Sequence, residues 1–288
     1  MSNRTPTIVA VLTSHNRKEK TMYSIRSFWR SIEIAGVRDA NVILVDDGSS
    51  DGTSAEASKQ FPGITILHGN GSLFWCRGMS LGMQAAIDTQ PDYILWLNDD
   101  TEIVPGAIQK LINCTKKESG GLDRVVVGAT VDPETRAATY GGLRAQSSVR
   151  QFSFVRLGIS DFEQSCDAMN GNIVLIPRSV FNAVGTLDSG YEHAMGDIDY
   201  ALRSRSQGFE VIVAPGYAGY CSSNSPINTH SDRALPFSVR WAKFCDRKGL
   251  PPKSWRHFVK KHAGLFWPCY FVYPYLKFAT RALLSKKM

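Results

Sequence analysis

Short unbroken apolar runs alternate, through the first hundred residues, with segments whose apolar positions recur every three or four residues. The runs are Thr7–Thr13 (TIVAVLT), Asn41–Val45, Gly63–His68 and Tyr93–Leu97. A helical pattern after the first run continues to about Ala35, with Tyr23, Ile25, Phe28, Trp29 and Ile32 on its apolar side. A second ends at Gln60 after a cap at Ser50 or Asp51, and a third covers about Met79–Asp88. Strands buried on both faces read as continuous apolar runs, and their alternation with helices predicts parallel β-α-β units. The expected fold class is α/β, a doubly wound, mostly parallel central sheet flanked by helices.

After Cys114 the pattern loosens. Val125–Thr130, Ala137–Tyr140 and Ser148–Arg156 are candidate strands, and Asn172–Pro177 is a clear one. A short helix to Ala183, a helix through Asp197–Arg205 with a Gly208 stop, and a strand at Phe209–Ala214 follow. The expected organisation is a body over residues 1–235 and a helical extension over 236–288. Within the body, a nucleotide-binding half (about 1–118) precedes an acceptor half (about 119–235).

Charge changes the picture at the C-terminus. The chain carries +7 over 288 residues, yet from Val239 onward 12 Lys and Arg face a single acid, Asp246. Trp241, Phe244, Trp255, Phe258 and Trp267 are interleaved with those cations. The apolar run from Ala263 to Leu276 is interrupted by Pro268 and Pro274, and a spanning helix needs roughly 20 residues. Basic residues beside large aromatics suit an interfacial anchor on anionic lipid; the plainer alternative is a C-terminal helical pair packing its aromatics on the domain. Nucleic acid is not the expected partner. The six cysteines form no C-x-x-C or zinc-type cluster, and the polar N-terminus runs at once into a strand, so the expectation is a reducing cytoplasm with a peripheral membrane location.

The candidate chemistry sits where strands end. Tyr93–Leu97 runs into Asn98-Asp99-Asp100, and Asn41–Val45 into Asp46-Asp47. Ligands of open α/β sheets bind past the carboxyl ends of strands, and paired hard oxygens suit Mg2+ or Mn2+. Helix capping is the bland alternative; it accounts for one acid of a pair more easily than for two. The first strand-to-helix loop, Ser14-His15-Asn16-Arg17, has no glycine, which argues against a Rossmann or P-loop phosphate cradle.

Five segments in this order resemble the family 2 glycosyltransferases of the GT-A fold: Thr13–Arg17, Val45–Thr53, Leu97–Thr101, Asn170-Gly171-Asn172 with Gly185–Asp188, and Gly196–Tyr200 with Arg203. The likeness spans roughly residues 7 to 215 and is strongest to bacterial surface-polysaccharide enzymes of rhamnosyltransferase type. It implies an inverting, metal-dependent transferase moving a sugar from a UDP- or dTDP-linked donor to a hydroxyl of a glycan, lipid-linked in the expected case. It implies Asp197 as catalytic base and Asp100 as a ligand to Mn2+ or Mg2+, with His230 a second candidate ligand. Thr13, His15, Asp47, Arg77 and Asp99 are implied at the nucleotide, and Trp75, Asn170 and Gly171 at the sugars. The family's D-x-D motif stands here as Asn98-Asp99-Asp100, and the acid that often precedes the base is replaced by Gly196. Rival expectations are a sugar nucleotidyltransferase, an inactive nucleotide-sugar or glycan-binding protein, and a membrane scaffold acting through the tail.

Overall fold

The computed structural model describes residues 5–116, 120–147 and 152–284. Its first half is the expected alternation: β1 (Thr7–Ser14), α1 (Lys18–Ile34), β2 (Asp39–Asp46), α2 (Thr53–Gln60), β3 (Thr65–His68), α3 (Phe74–Asp88) and β4 (Tyr93–Leu97). Then come β5 (Glu102–Ile103), α4 (Ala107–Asn113), β6 (Arg124–Val127), β7 (Thr130–Val131), β8 (Ala138–Tyr140), β9 (Gly142–Ala145) and β10 (Phe154–Arg156). The chain continues through β11 (Gln164–Ser165), β12 (Ala168–Met169), β13 (Ile173–Pro177), α5 (Arg178–Val184), α6 (Gly196–Ser206), β14 (Glu210–Val213) and β15 (Gly219–Tyr220). Helices α7 (Phe237–Cys245), α8 (Pro252–His262) and α9 (Trp267–Leu284) close it.

The central sheet has eight strands in the order β11-β14-β6-β13-β4-β1-β2-β3. From β3 to β4 all pairing is parallel, whereas β13 runs antiparallel to both β4 and β6. That reversal matters for the site. It brings the start of β13, with Gly171 and Asn172 just before it, beside the end of β4, where the Asn98 N–H donates to the Asn172 carbonyl (3.0 Å). Smaller sheets, β5-β15-β7-β8 and β10-β9-β12, complete the body. The segment expected as a strand from Ser148 is described only from 152 onward, where β10 begins at Phe154.

Helix α1 departs from the expected apolar face. Met22, Ile25, Phe28 and Ile32 are buried, but so are Thr21, Ser24, Ser27 and Ser31, while Tyr23 is 46% exposed. The inward serines satisfy irregular backbone after β4. Ser24 Oγ donates to the Asn98 carbonyl (2.9 Å), and the Ile103 and Ile108 N–H groups donate to Ser27 Oγ (2.9 Å) and Ser31 Oγ (3.4 Å). A buried backbone group must be paired, and a loop without ladder bonds needs side chains to do it. The hydrophobic period alone does not register this requirement, which is why it assigned Tyr23 inward.

Two compact units emerge. One holds Met1–Asp188 with Asp197–Ser223, the other Ser189–Gly196 with Asn224–Met288. In the second, Trp255 and Phe258 are buried and their rings stack (5.6 Å between centroids), and the Trp255 Nε1–H donates to the Tyr270 carbonyl (3.1 Å). Trp241, Phe244, Tyr275 and Phe278 form another ring cluster. Most of the tail's aromatics are thus consumed in its own packing. Leu265 and Phe266, in the turn between α8 and α9, are 95% and 71% exposed. No helix among the described residues is long and apolar enough to cross a membrane.

Replacing Ser27 by Ala strands the buried Ile103 N–H. The expected cost is about 1–3 kcal/mol in urea unfolding, whereas alanine at the exposed Tyr23 should change stability by less than about 0.5 kcal/mol.

Candidate active site

The carboxyl ends of β2, β1 and β4 lie side by side, and the loops leaving them are tied to one another. The His15 ring donates from Nδ1 to the Asp47 carbonyl (2.6 Å), and its Nε2 accepts from Asn16 Nδ2 (3.1 Å). The Asn16 N–H donates to Ser49 Oγ (2.9 Å), the Ser50 N–H to Asn16 Oδ1 (2.7 Å) and the Lys18 N–H to Asp51 Oδ2 (2.9 Å). Asp46, buried though it is, is held below the usual carboxylate range by hydrogen bonds from Ser49 and Ser54. Asp46 and Asp51 are therefore turn-formers, as the capping alternative has it.

Asp47 does more. It is 2% exposed, and both carboxylate oxygens accept backbone N–H groups from the next loop: Gly71 at Oδ1 (2.8 Å) and Phe74 at Oδ2 (2.9 Å). Phe74 adopts φ 55°, a left-handed conformation that an aromatic residue takes only when its surroundings over-determine it. Anchoring by Asp47 supplies that constraint. It also explains a correction to the expected element boundary. The stretch read as a loop with two exposed aromatics is helical from Phe74, so Trp75 and Arg77 stand in the first turn of α3 and are half-buried.

That turn joins everything else. The Trp75 Nε1–H donates to Asn98 Oδ1 (2.8 Å), and the indole lies edge-on to Trp96 (6.2 Å), which meets Tyr200 of α6 (4.9 Å). The other end of the indole covers Gly171: a Cβ there would come within 2.5 Å of it. Gly171 in turn donates its N–H to Asp197 Oδ2 (3.1 Å). Only glycine fits between a ring and a carboxylate that close. Thr13 packs against Gly78 one turn along α3, its hydroxyl buried without a hydrogen-bond partner. Asn170 spends its side chain on the Gly141 N–H (3.4 Å).

The acids differ in environment. Asp99 is 7% exposed, and burial pushes its carboxyl up to about 6 against the opposing pull of Arg17. Asp100 reaches further out. Arg17 Nη1 bridges the two, 3.0 Å from Asp99 Oδ1 and 2.8 Å from Asp100 Oδ2, and they hold the guanidinium above its usual range although burial opposes its charge. Asp197, which opens α6, is likewise pushed up to about 6 by desolvation, against the N–H groups of Ile198 and Gly171 that favour the ionised form. Asp199, fully buried, pairs with Arg203 Nε (2.8 Å), whose remaining donors serve the Val184 and Thr186 carbonyls. That pair is structural. Asp99 and Asp197 hold protons that the unfolded chain releases near about pH 4, so native stability falls as pH rises from there toward 6.

Asp99 and Asp100 are the residues that could hold a divalent ion here. Among the described residues no three His, Cys, Asp or Glu side chains form a cage, and Asn98 is committed to Trp75. Mg2+ and Mn2+ at phosphate-transfer sites take one or two carboxylates and complete their shell with substrate oxygens and water. Asp100 beside Asp99 supplies that minimal set, and a cation, the Arg17 guanidinium, already stands on it. In the sequence Arg17 carries no more than its place in a motif, although it stands in the loop after β1, the sheet neighbour of the strand that runs into two acids. His230 belongs to the C-terminal unit, where its ring packs on Phe244 (5.5 Å) and Phe278 (6.2 Å) and burial with Arg240 holds its pKa below the usual value.

Comparison with known proteins supports the fold and the family. The glycosyl transferase family 2 profile matches residues 10–156. Two curated relatives, the N-acetylglucosaminyl-diphospho-decaprenol L-rhamnosyltransferases of Mycobacterium tuberculosis strains CDC 1551 and H37Rv, are each 24% identical over 212 residues, 66% of this chain and 69% of theirs. The solved structure of GalNAc-T7 with UDP, GalNAc and Mn2+ superimposes with a TM-score of 0.58 at 14% identity. That match covers 91% of this chain and about half (53%) of the solved one, and it places the fold in the GT-A class.

If Arg17 competes with a divalent ion for the same oxygens, Arg17→Met should tighten Mn2+ binding to the nucleotide-free protein. The expected gain is about five-fold, the worth of roughly one partly exposed charge pair, read by calorimetry. An unchanged affinity would mean that the guanidinium and the ion do not share ligands.

Proposed function

The chain belongs to glycosyl transferase family 2, and we propose that it is an inverting enzyme that transfers a deoxyhexose from a UDP- or dTDP-linked donor to a hydroxyl of a lipid-linked glycan. The mycobacterial relatives, whose name gives rhamnose and a diphospho-decaprenol acceptor, support the sugar and acceptor classes. The single observation that carries the mechanism is Asp197. Its carboxyl is drawn up to about 6 and accepts the Gly171 N–H beside the Trp75 indole, which supports reading it as a base. A base works best when its pKa lies near the operating pH. Asp197 would take the acceptor hydroxyl proton as that oxygen attacks the anomeric carbon, on the face opposite the departing diphosphate.

We carry the remaining roles over from the family resemblance. His15 and Asp47 flank the nucleobase; each Asp47 oxygen retains a lone pair able to accept the N3–H of uracil or thymine. Thr13 and Asp99 line the nucleoside, and Arg77, in the first turn of α3, faces phosphate. Trp75 presents its ring to the sugar, with Asn170 and Gly171 shaping the acceptor side. Asp100 would hold Mn2+ or Mg2+; such an ion, when bound, would neutralise charge on the leaving diphosphate. Arg17 contributes positive charge to the same oxygens.

A surface role for the tail is part of this reading. We place residues 1–235 as the transferase body and 236–288 as the membrane-associating extension, holding the enzyme at the cytoplasmic face of the membrane where its acceptor is. Leu265 and Phe266 protrude beside a basic α8, whose Arg256 and Lys260 lie over the Trp267 ring (5.8 and 4.9 Å). Exposed apolar tips ringed by cations suit anionic lipid.

Asp197→Asn should lower transfer by at least about 100-fold while leaving donor affinity within about three-fold. In the wild type, kcat/KM for the acceptor should fall below about pH 6 as the base is protonated. Normal turnover by the variant would remove Asp197 from the mechanism. Separately, Leu265→Asp with Phe266→Asp should abolish co-sedimentation with phosphatidylglycerol vesicles yet spare transfer to a soluble acceptor; retained sedimentation would exclude this turn as the anchor.

A further inference from the structure

A cavity of about 590 Å3 lies wholly within the C-terminal unit, between the 230–233 loop, α7, the 248–250 turn and α9. Five of its lining side chains are cations, Arg233, Arg240, Lys248, Lys277 and Arg281, and no Asp or Glu is among the described residues that line it. None of the five takes part in an ion pair between described residues. Arg240 spends Nε on the His230 carbonyl (3.0 Å) and lies over the Phe278 ring (5.5 Å), which fixes its guanidinium in place. Two acids lie close to these cations in sequence but outside the lining: Asp246, and Asp232, whose carboxylate accepts the Asn228 and Ala234 N–H groups (2.8 and 3.0 Å) and is held below its usual range by them and by the Arg240 charge.

Five like charges gathered around one concavity repel each other, and a bound anion relieves that repulsion. Guanidinium and ammonium groups together match phosphate oxygens, the first by a planar fork and the second as a point charge. The rest of the wall mixes His230, Ser231 and Gly249 with an apolar stretch. Phe244 and Phe278 stack face to face (4.4 Å, 4°), with Leu250 and Pro274 alongside. Its size falls in the range of small-molecule sites, roughly 300–1,000 Å3. Cations against an aromatic wall suit a ligand with a charged head and an apolar body.

We propose that this cavity binds the diphosphate end of an amphiphile. Its identification with the lipid-diphosphate end of the glycan acceptor rests on the transferase reading above; the anion site does not.

The test is calorimetric titration of the full chain with farnesyl diphosphate and, in parallel, inorganic pyrophosphate, without donor or divalent metal. Arg233→Gln, Lys248→Gln and Arg281→Gln combined should weaken farnesyl diphosphate binding at least about ten-fold. A control that removes the same charge from α8, Lys253→Gln with Arg256→Gln and Lys260→Gln, should change it less than about two-fold. Farnesyl diphosphate binding more tightly than pyrophosphate assigns the ligand to a lipid. Equal binding with the same variant pattern supports the anion site and assigns it to a free diphosphate. Equal weakening by both triple variants, or by neither, overturns the proposal. Because no turnover enters the measurement, failure here is distinguishable from failure of Asp197 as base.

Discussion

The first turn of α3 is the constraint on which the site depends. Asp47 accepts the N–H of Phe74 and so fixes where the helix begins. The next residue, Trp75, then reaches Asn98 with its indole N–H and covers Gly171 with its ring, and Gly171 holds Asp197. Three acid-bearing segments that lie far apart in sequence are thereby tied to a single helical turn. Beneath it, the Trp75, Trp96 and Tyr200 rings contact one another in succession, so α3, β4 and α6 are braced as well as hydrogen-bonded. Edge-to-face ring pairs add about 0.5–1.5 kcal/mol each beyond the area they bury. The strained φ of Phe74 is the cost of this arrangement, and the Asp47 carboxylate offsets it.

Electrostatics gives the acids different characters. Asp47 accepts two backbone N–H groups, Asp99 and Asp100 share a guanidinium, and Asp197, among the described residues, accepts backbone N–H groups from Gly171 and Ile198. Burying a carboxylate without a countercharge raises its pKa; among the described residues Asp197 makes no ion pair, and desolvation draws it up to about 6. The proposed function would assign these separate environments a structural, a phosphate-side and a proton-accepting role.

Much of this was legible before any coordinates. The apolar runs located the strands of the parallel half, and Asp47, Asp99, Asp100 and Asp197 stood out because they follow strand ends or open a helix. The antiparallel insertion of β13 was not legible, since periodicity reports burial and not direction; yet it is that reversal which carries Gly171 to Asn98. The helical start at Phe74 was missed because its cause is a carboxylate 27 residues away rather than a local cap. Likewise the inward serines of α1 answer to backbone groups of the loop after β4, and no rule of apolar spacing anticipates them. Arg17 was present in the motif but silent, because its meaning depends on β1 and β4 being neighbours. In the tail, composition identified a basic, aromatic unit, but only packing separates rings spent inside it from the two residues left at its tip.

The most direct test of the central claim is a crystal structure of the protein soaked with a UDP- or dTDP-sugar and Mn2+. The diphosphate should lie across the Arg17, Asp99 and Asp100 cluster, with the sugar between the Trp75 ring and Asp197. A nucleotide sugar bound away from the first turn of α3, with Trp75 and Asp197 untouched, would contradict the account.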